Sequence, residues 1–131
     1  MQNILTGIYT AYNADTDLKA ALPGELHFEQ APPNTSMTYA VYNLINARPE
    51  YILNAERDEV VYIQFDIYAA TNALRLAAYE KLTAVYDDAR ISATGYTPLI
   101  IERKNQQLVR DGQQDEIFRA VVDYQGEWKK N

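Results

Sequence analysis

The stretch Val60–Ala89, VVYIQFDIYAATNALRLAAYEKLTAVYDDA, holds a strand and a helix end to end. In its first part Val61, Ile63, Phe65 and Ile67 alternate with Val60, Tyr62, Gln64, Asp66 and Tyr68. β-Branched and aromatic residues at period two predict a strand from about Glu59 to Ala69, with one continuous apolar face and one mixed face. In its second part Leu74, Ala78, Leu82, Val85 and Ala89 fall on one stripe at helical spacing. Thr71 or Asn72 offers a side-chain oxygen to cap that helix. Asp87 and Asp88 stand at its C-terminal end, where the helix dipole disfavours negative charge. They are read either as tolerated surface charge or as acids held there by a partner.

Working back towards the N-terminus, Ile4, Leu5, Ile8, Ala11 and Tyr12 make the apolar stripe of a first helix. Asp15 can cap a short second turn carrying Leu18, Ala21 and Leu22, which Pro23-Gly24 ends. ELHFEQA, from Glu25 to Ala31, alternates as a short strand with a charged face. APPNTSMTYAVYNLI, Ala31–Ile45, then passes from a stiff proline pair into a second strand, Thr38 to Asn46. Ala40, Tyr42 and Leu44 share one of its faces; Tyr39, Val41 and Ile45 share the other. Both are apolar, as expected of a strand covered on each side. Tyr39 and Tyr42 thus point opposite ways, so at most one can serve a helix-covered core. Arg48 to Leu53 is a possible hairpin partner, and NAERDE a charged turn before the Glu59 strand.

Towards the C-terminus the pattern predicts a hairpin. One arm is about Thr97 to Arg103, with continuation to Val109, and the other is Glu116 to Trp128. Asp111-Gly112 between them is a turn signal. WKKN closes the chain as a basic tail, and fraying is expected over 127–131. No repeat or low-complexity tract interrupts the order of helix, strands, helix and strands. The expected fold is therefore one α+β domain over 1–131, with a mainly antiparallel sheet of about four to five strands and two helices packed on it.

The totals narrow the function. A formal net charge of -6 opposes general binding to nucleic acid, which requires a basic face. With no cysteine there is neither a disulfide framework nor a thiolate metal site. No apolar run approaches the ~18 residues of a membrane span. The N-terminus lacks a basic start and a cleavage site, so a cytoplasmic origin is expected. Tyrosine occurs 11 times against 3 Phe and 1 Trp. A broad ring with a polar tip suits half-buried sheet faces and subunit contacts, although strand propensity alone would also enrich it.

Catalytic chemistry finds little support. His27 is the single histidine, and Ser36 and Ser92 lie in predicted loops, so a nucleophilic triad has no evident geometry. Glu25, His27 and Glu29 alternate on one strand face and could offer metal donors. Side chains two apart on a strand stand ~7 Å apart, however, and a solvated edge face accounts for them better. The acid clusters Glu56, Asp58, Glu59 and Asp111, Asp115, Glu116 lie in polar turns, where nothing would shift a carboxyl for acid-base work. The glycines are isolated, without a phosphate cradle. No catalytic, metal or cofactor residues are assigned. Arg48, Arg57, Arg103, Lys104 and Arg110 sit in or beside loops, where they supply either solubility charge or contacts to an acidic partner.

The succession YAVYNLI, then IQFDIYA leading directly into TNALRLAAYEKLTAVY, then RDGQQDEIFRAVVDY, resembles the small tail-terminator, or tail-completion, proteins of long-tailed bacteriophages and prophages. The resemblance covers nearly the whole chain. It implies a structural virion protein without catalysis, made in the host bacterial cytoplasm. Such a protein forms a ring, commonly a hexamer, that caps the tail tube and presents the surface for head joining. Implied partners are further copies of itself, the tail tube protein and a head-completion or connector protein, with DNA passing through unbound and no membrane involved. A head-tail adaptor of the neck is the alternative in the same class; a small metal-dependent hydrolase or a monomeric binding domain is more distant. Candidate subunit or partner contacts are Tyr39, Tyr42, Arg48, Tyr51, Arg57, Arg103 and Arg110.

Overall fold

The computed structural model describes residues 1–51, 57–111 and 117–131, with side chains described outside 46–57 and 111–116. Within these the chain order is α1 (Gln2–Asn13), α2 (Thr16–Ala21), β1 (Leu26–Phe28), β2 (Tyr39–Tyr51), β3 (Arg57–Ala69), α3 (Asn72–Tyr86), β4 (Tyr96–Pro98), β5 (Glu102–Asp111) and β6 (Ile117–Lys130). The six strands form one sheet in the order β1-β2-β3-β6-β4, with β5 also paired to β6. The fold is the expected α+β arrangement, mainly antiparallel. The helices number three among the described residues, because the turn capped by Asp15 is a helix of its own. The Asp15 side chain accepts from the Leu18 N–H at 2.8 Å.

The strand read first is the keel of the core. Val61, Ile63, Phe65 and Ile67 are fully buried on the face that the helices cover. Twelve consecutive residues, from Asp58 facing Lys129 to Ala69 facing Phe118, join β3 to β6 without a register shift. Ala40 and Tyr42 of β2 extend this face on one side, and Ala120, Val122, Tyr124 and Trp128 of β6 on the other. Ile4, Leu5, Ile8 and Tyr12 of α1 pack into the same cluster, as their spacing predicts.

Several boundaries differ from the pattern reading, each for a visible reason. β2 does not stop near Asn46; it runs to Tyr51, and Arg48 to Tyr51 belong to it. Leu44 pairs with Ile63 and Asn46 with Tyr62, so Ile45 is a bulge that resets the alternation. Arg57 to Glu59 of the expected NAERDE turn belong to β3, and the rest of that turn, 54–56, and the Gly112 turn lie outside the described residues. The arm expected from Thr97 onwards is two strands. Ile101 is buried and exchanges backbone hydrogen bonds with the segment after α3, receiving Asp88 N–H at 3.0 Å and donating to Ala89 O at 2.9 Å. That detour separates β4 from β5. The tail expected to fray is strand up to Lys130: Tyr96, Thr97 and Pro98 pair with Lys130, Lys129 and Trp128. Trp128 is 1 % exposed, and its indole N–H donates to Ile91 O at 2.8 Å.

The sheet also holds one parallel pair. Leu26, His27 and Phe28 face Ala40, Val41 and Tyr42 in parallel, because the Pro32-Pro33 linker returns the chain to the start of β2. In α3 the buried stripe is Arg75, Ala78, Leu82 and Tyr86, with Thr83 beside it. Leu74, expected on that stripe, is 49 % exposed. Arg75 takes the inward position because it has carbonyls to reach: its guanidinium donates to Val109 O at 3.0 Å and Arg119 O at 3.4 Å, and also to Asn72 Oδ1.

Candidate assembly surfaces

The two faces of the sheet use tyrosine in opposite ways. On the helix side the hydroxyls are anchors. Tyr42 Oη donates to Leu5 O at 3.3 Å and Tyr86 Oη to Ile8 O at 2.7 Å, so sheet and α3 both tie to carbonyls of α1. Burial pushes the phenols of Tyr86, Tyr124, Tyr42 and Tyr12 up from their ordinary value. The Tyr124 hydroxyl donates to Asp87 at 2.7 Å, and the negative Asp87 raises that phenol further. Arg103 meets the same carboxylate at 3.2 Å and donates to the Tyr79 hydroxyl. Asp87 is thus held at the unfavourable end of α3 by groups of its own chain.

The opposite face carries Tyr39, Tyr68, Asp66, Gln64, Arg119 and Asp123. Tyr39 and Tyr68 stack with ring centroids 5.0 Å apart. The Arg119 guanidinium lies 5.6 Å from the Tyr68 centroid and binds Asp66 Oδ1 through Nη2 at 2.7 Å and Nε at 3.1 Å. Gln64 donates to Asp66 Oδ2 at 3.1 Å. The Asp66 side chain is 6 % exposed, so a paired carboxylate is buried on the face away from the helices. Glu29, Gln30 and Ala31 at the start of the linker line a cleft of about 280 Å³ with Tyr39, Val41, Asn43, Asp66 and Tyr68. They partly roof this face. Burial pushes the Asp123 carboxyl up, opposed by a hydrogen bond with Asn105 and aided by the charge of Asp66.

The structure sorts the seven candidate contacts. Tyr42 is 4 % exposed and lies in the core, so its ring offers no surface to a partner. Its expected role as a contact gives way to packing, since the ring lies on the face that α1 covers. Tyr39 is the half-buried member of the pair, on the side away from the helices. Arg103 and Arg110 are exposed on β5, Arg103 leaning to Asp87 and Arg110 stacked 5.5 Å over the Phe118 ring. The backbones of Arg48, Tyr51 and Arg57 lie at the turn end of the β2–β3 hairpin, and their side chains are outside the described residues. The four with described side chains, Tyr39, Tyr42, Arg103 and Arg110, therefore form no single patch.

Glu25, His27 and Glu29 do not converge. The His27 ring nitrogen Nε2 is 2.8 Å from Gly24 O, and among the described residues no group of three acidic or histidine side chains is placed to hold a metal ion. The Asp66–Arg119 pair and the inward Arg75 were not singled out from sequence. A lone acid within an apolar strand and an arginine three residues before a buried Ala78 were the signals available.

Comparison with known proteins places this fold. The family described as "Tail completion protein gp17" matches residues 6–126, from within α1 to within β6. A chain in a solved structure titled "Virion of native gene transfer agent (GTA) particle" is similar in fold. Its TM-score is 0.77 at 14 % identity, over 93 % of this chain and 91 % of that one. A comparison with curated proteins gives no match.

Proposed function

We propose, from the premise that this chain belongs to the tail completion protein gp17 family, that it assembles into a closed ring that caps the tail tube. The protein is a structural component of the virion, at the tail or neck. In the proposed assembly the ring, a hexamer, sits on the last turn of tube protein. It presents its other side to a head-completion protein, and DNA passes through its lumen. The observation that carries this reading is the family match over 6–126, which takes in most of α1, all of α2 and α3, and nearly all of the sheet.

Physical features agree with it. An acidic chain does not hold on to a passing phosphate backbone. Exposed apolar side chains at Phe28, Met37, Leu74, Leu99, Ile100 and Leu108 provide area for protein contacts.

Light-scattering mass over a range of concentration, together with electron microscopy of tail tubes mixed with the protein, tests the proposal. The expected result is a closed oligomer and a discrete cap at one tube end. A strictly monomeric mass with bare tube ends would overturn it. Binding to the head connector in preference to the tube would instead make the protein a neck adaptor.

A further inference from the structure

We infer that copies of this chain join head to tail through opposite edges of the sheet, the acidic β1 edge of one copy meeting the basic β5 edge of the next. The inference rests on the ring reading above and names the surface that would build it.

A ring of identical subunits needs two different patches on each copy, directed away from one another. β1 and β5 meet that requirement. β1 ends the strand order on one side, and β5 lies beyond β6 on the other. Each has a ladder partner along one rim.

The two edges carry opposite charge. Glu25 and Glu29 flank β1, with no lysine or arginine between them. β5, Glu102–Asp111, carries three bases, Arg103, Lys104 and Arg110, against Glu102 and Asp111, and Arg103 also meets Asp87 of its own chain. In a chain of net charge -6, β5 is a local reversal of sign. Glu25 and Glu29 are exposed, as is every side chain from Glu102 to Leu108. Lys104 bonds Glu102 at 2.8 Å, but both are about half exposed. Such a surface pair is weak and readily shared with a partner's carboxylates.

The arrangement also selects the mode of association. A two-fold contact through either edge would set acids against acids or bases against bases, which is repulsive. Head-to-tail contact sets unlike charges together and can repeat until it closes. Apolar side chains add area on both sides: Phe28 on β1 is 39 % exposed, and Leu108 on β5 is 52 % exposed. A ten-residue strand whose one ladder partner among the described residues is β6 is otherwise an aggregation liability, which a dedicated partner edge removes.

A charge swap tests this. One variant carries Glu25→Lys and Glu29→Lys; the other carries Lys104→Glu and Arg110→Glu. Circular dichroism verifies that each is folded, and sedimentation velocity follows assembly at low and high salt. Each variant alone should need at least tenfold more protein than wild type to assemble, and an equimolar mixture should recover assembly, alternating the two variants. Wild-type assembly by both single variants, or folded variants that stay apart when mixed, would overturn the edge assignment and leave the ring reading standing. A wild-type chain that never assembles, alone or on tubes, would remove the ring reading and this inference together.

Discussion

The Tyr86 hydroxyl, near the C-terminal end of α3, donates to the backbone carbonyl of Ile8 in α1 at 2.7 Å across 78 residues of chain. The ring is fully buried and stands 4.6 Å from Phe65. Tyr86→Phe keeps the ring and removes the donor, so a buried carbonyl loses this partner. We expect a loss of about 1–3 kcal/mol in chemical denaturation, with the native circular dichroism spectrum retained. A change within error would mean that the carbonyl finds another donor.

Arg119 neutralises Asp66 on the face away from the helices. Arg119→Leu leaves that carboxylate buried without its counter-charge, and hydrogen bonds to charged groups contribute about 1.5–3 kcal/mol. Urea unfolding should show a loss of that size. Adding Asp66→Asn to the variant should recover part of it, because a neutral amide costs less to bury than an ion.

Trp128 distinguishes a structural end from a loose one. Its side chain is buried and hydrogen-bonded to Ile91 O. Trp128→Ala should cost about 3–5 kcal/mol, the range for emptying a large aromatic site. A frayed tail would show almost no change in thermal melting.

Alkaline pH should weaken the fold. Tyr86 and Tyr124 have folded-state phenols raised by burial, whereas tyrosine in an unfolded chain ionises near pH 10. Below about pH 10 both states keep their protons and this contribution is whole. Above it the unfolded chain releases protons that the folded chain retains, so stability falls as pH rises. Melting temperature across that range should drop, and the drop should be shallower in Tyr124→Phe. A flat profile would show that these phenols ionise in the folded protein as they do in water.

The core strand was legible because its period-two pattern is unbroken from Val61 to Ile67, and such a pattern admits one inward face. The cap at Thr71 was legible too, its hydroxyl accepting from Leu74 N–H at 3.2 Å. Extents were harder. A single bulge at Ile45 inverted the alternation and hid the rest of β2. Ile101 turned its backbone to the segment after α3, which no local pattern encodes. The tail's charge suggested solvent, yet the buried Trp128 and the pairing with β4 fix it. For the surfaces, sequence named candidate residues but could not assign faces. Tyr39 and Tyr42 differ only by which side of β2 the helices cover.

The place of β6 also governs when this protein can fold. It is the last strand in the chain, yet it lies between β3 on one side and β4 and β5 on the other. On the ribosome, the first three strands and the two after α3 have no ladder linking them until Ile117–Lys130 is made and clears the exit tunnel. Closing the sheet is then a long-range search of the kind that slows folding. A nascent chain stalled before Ile117 would display two unfinished sheet edges, ready to pair with the wrong neighbour in a cell making many copies at once.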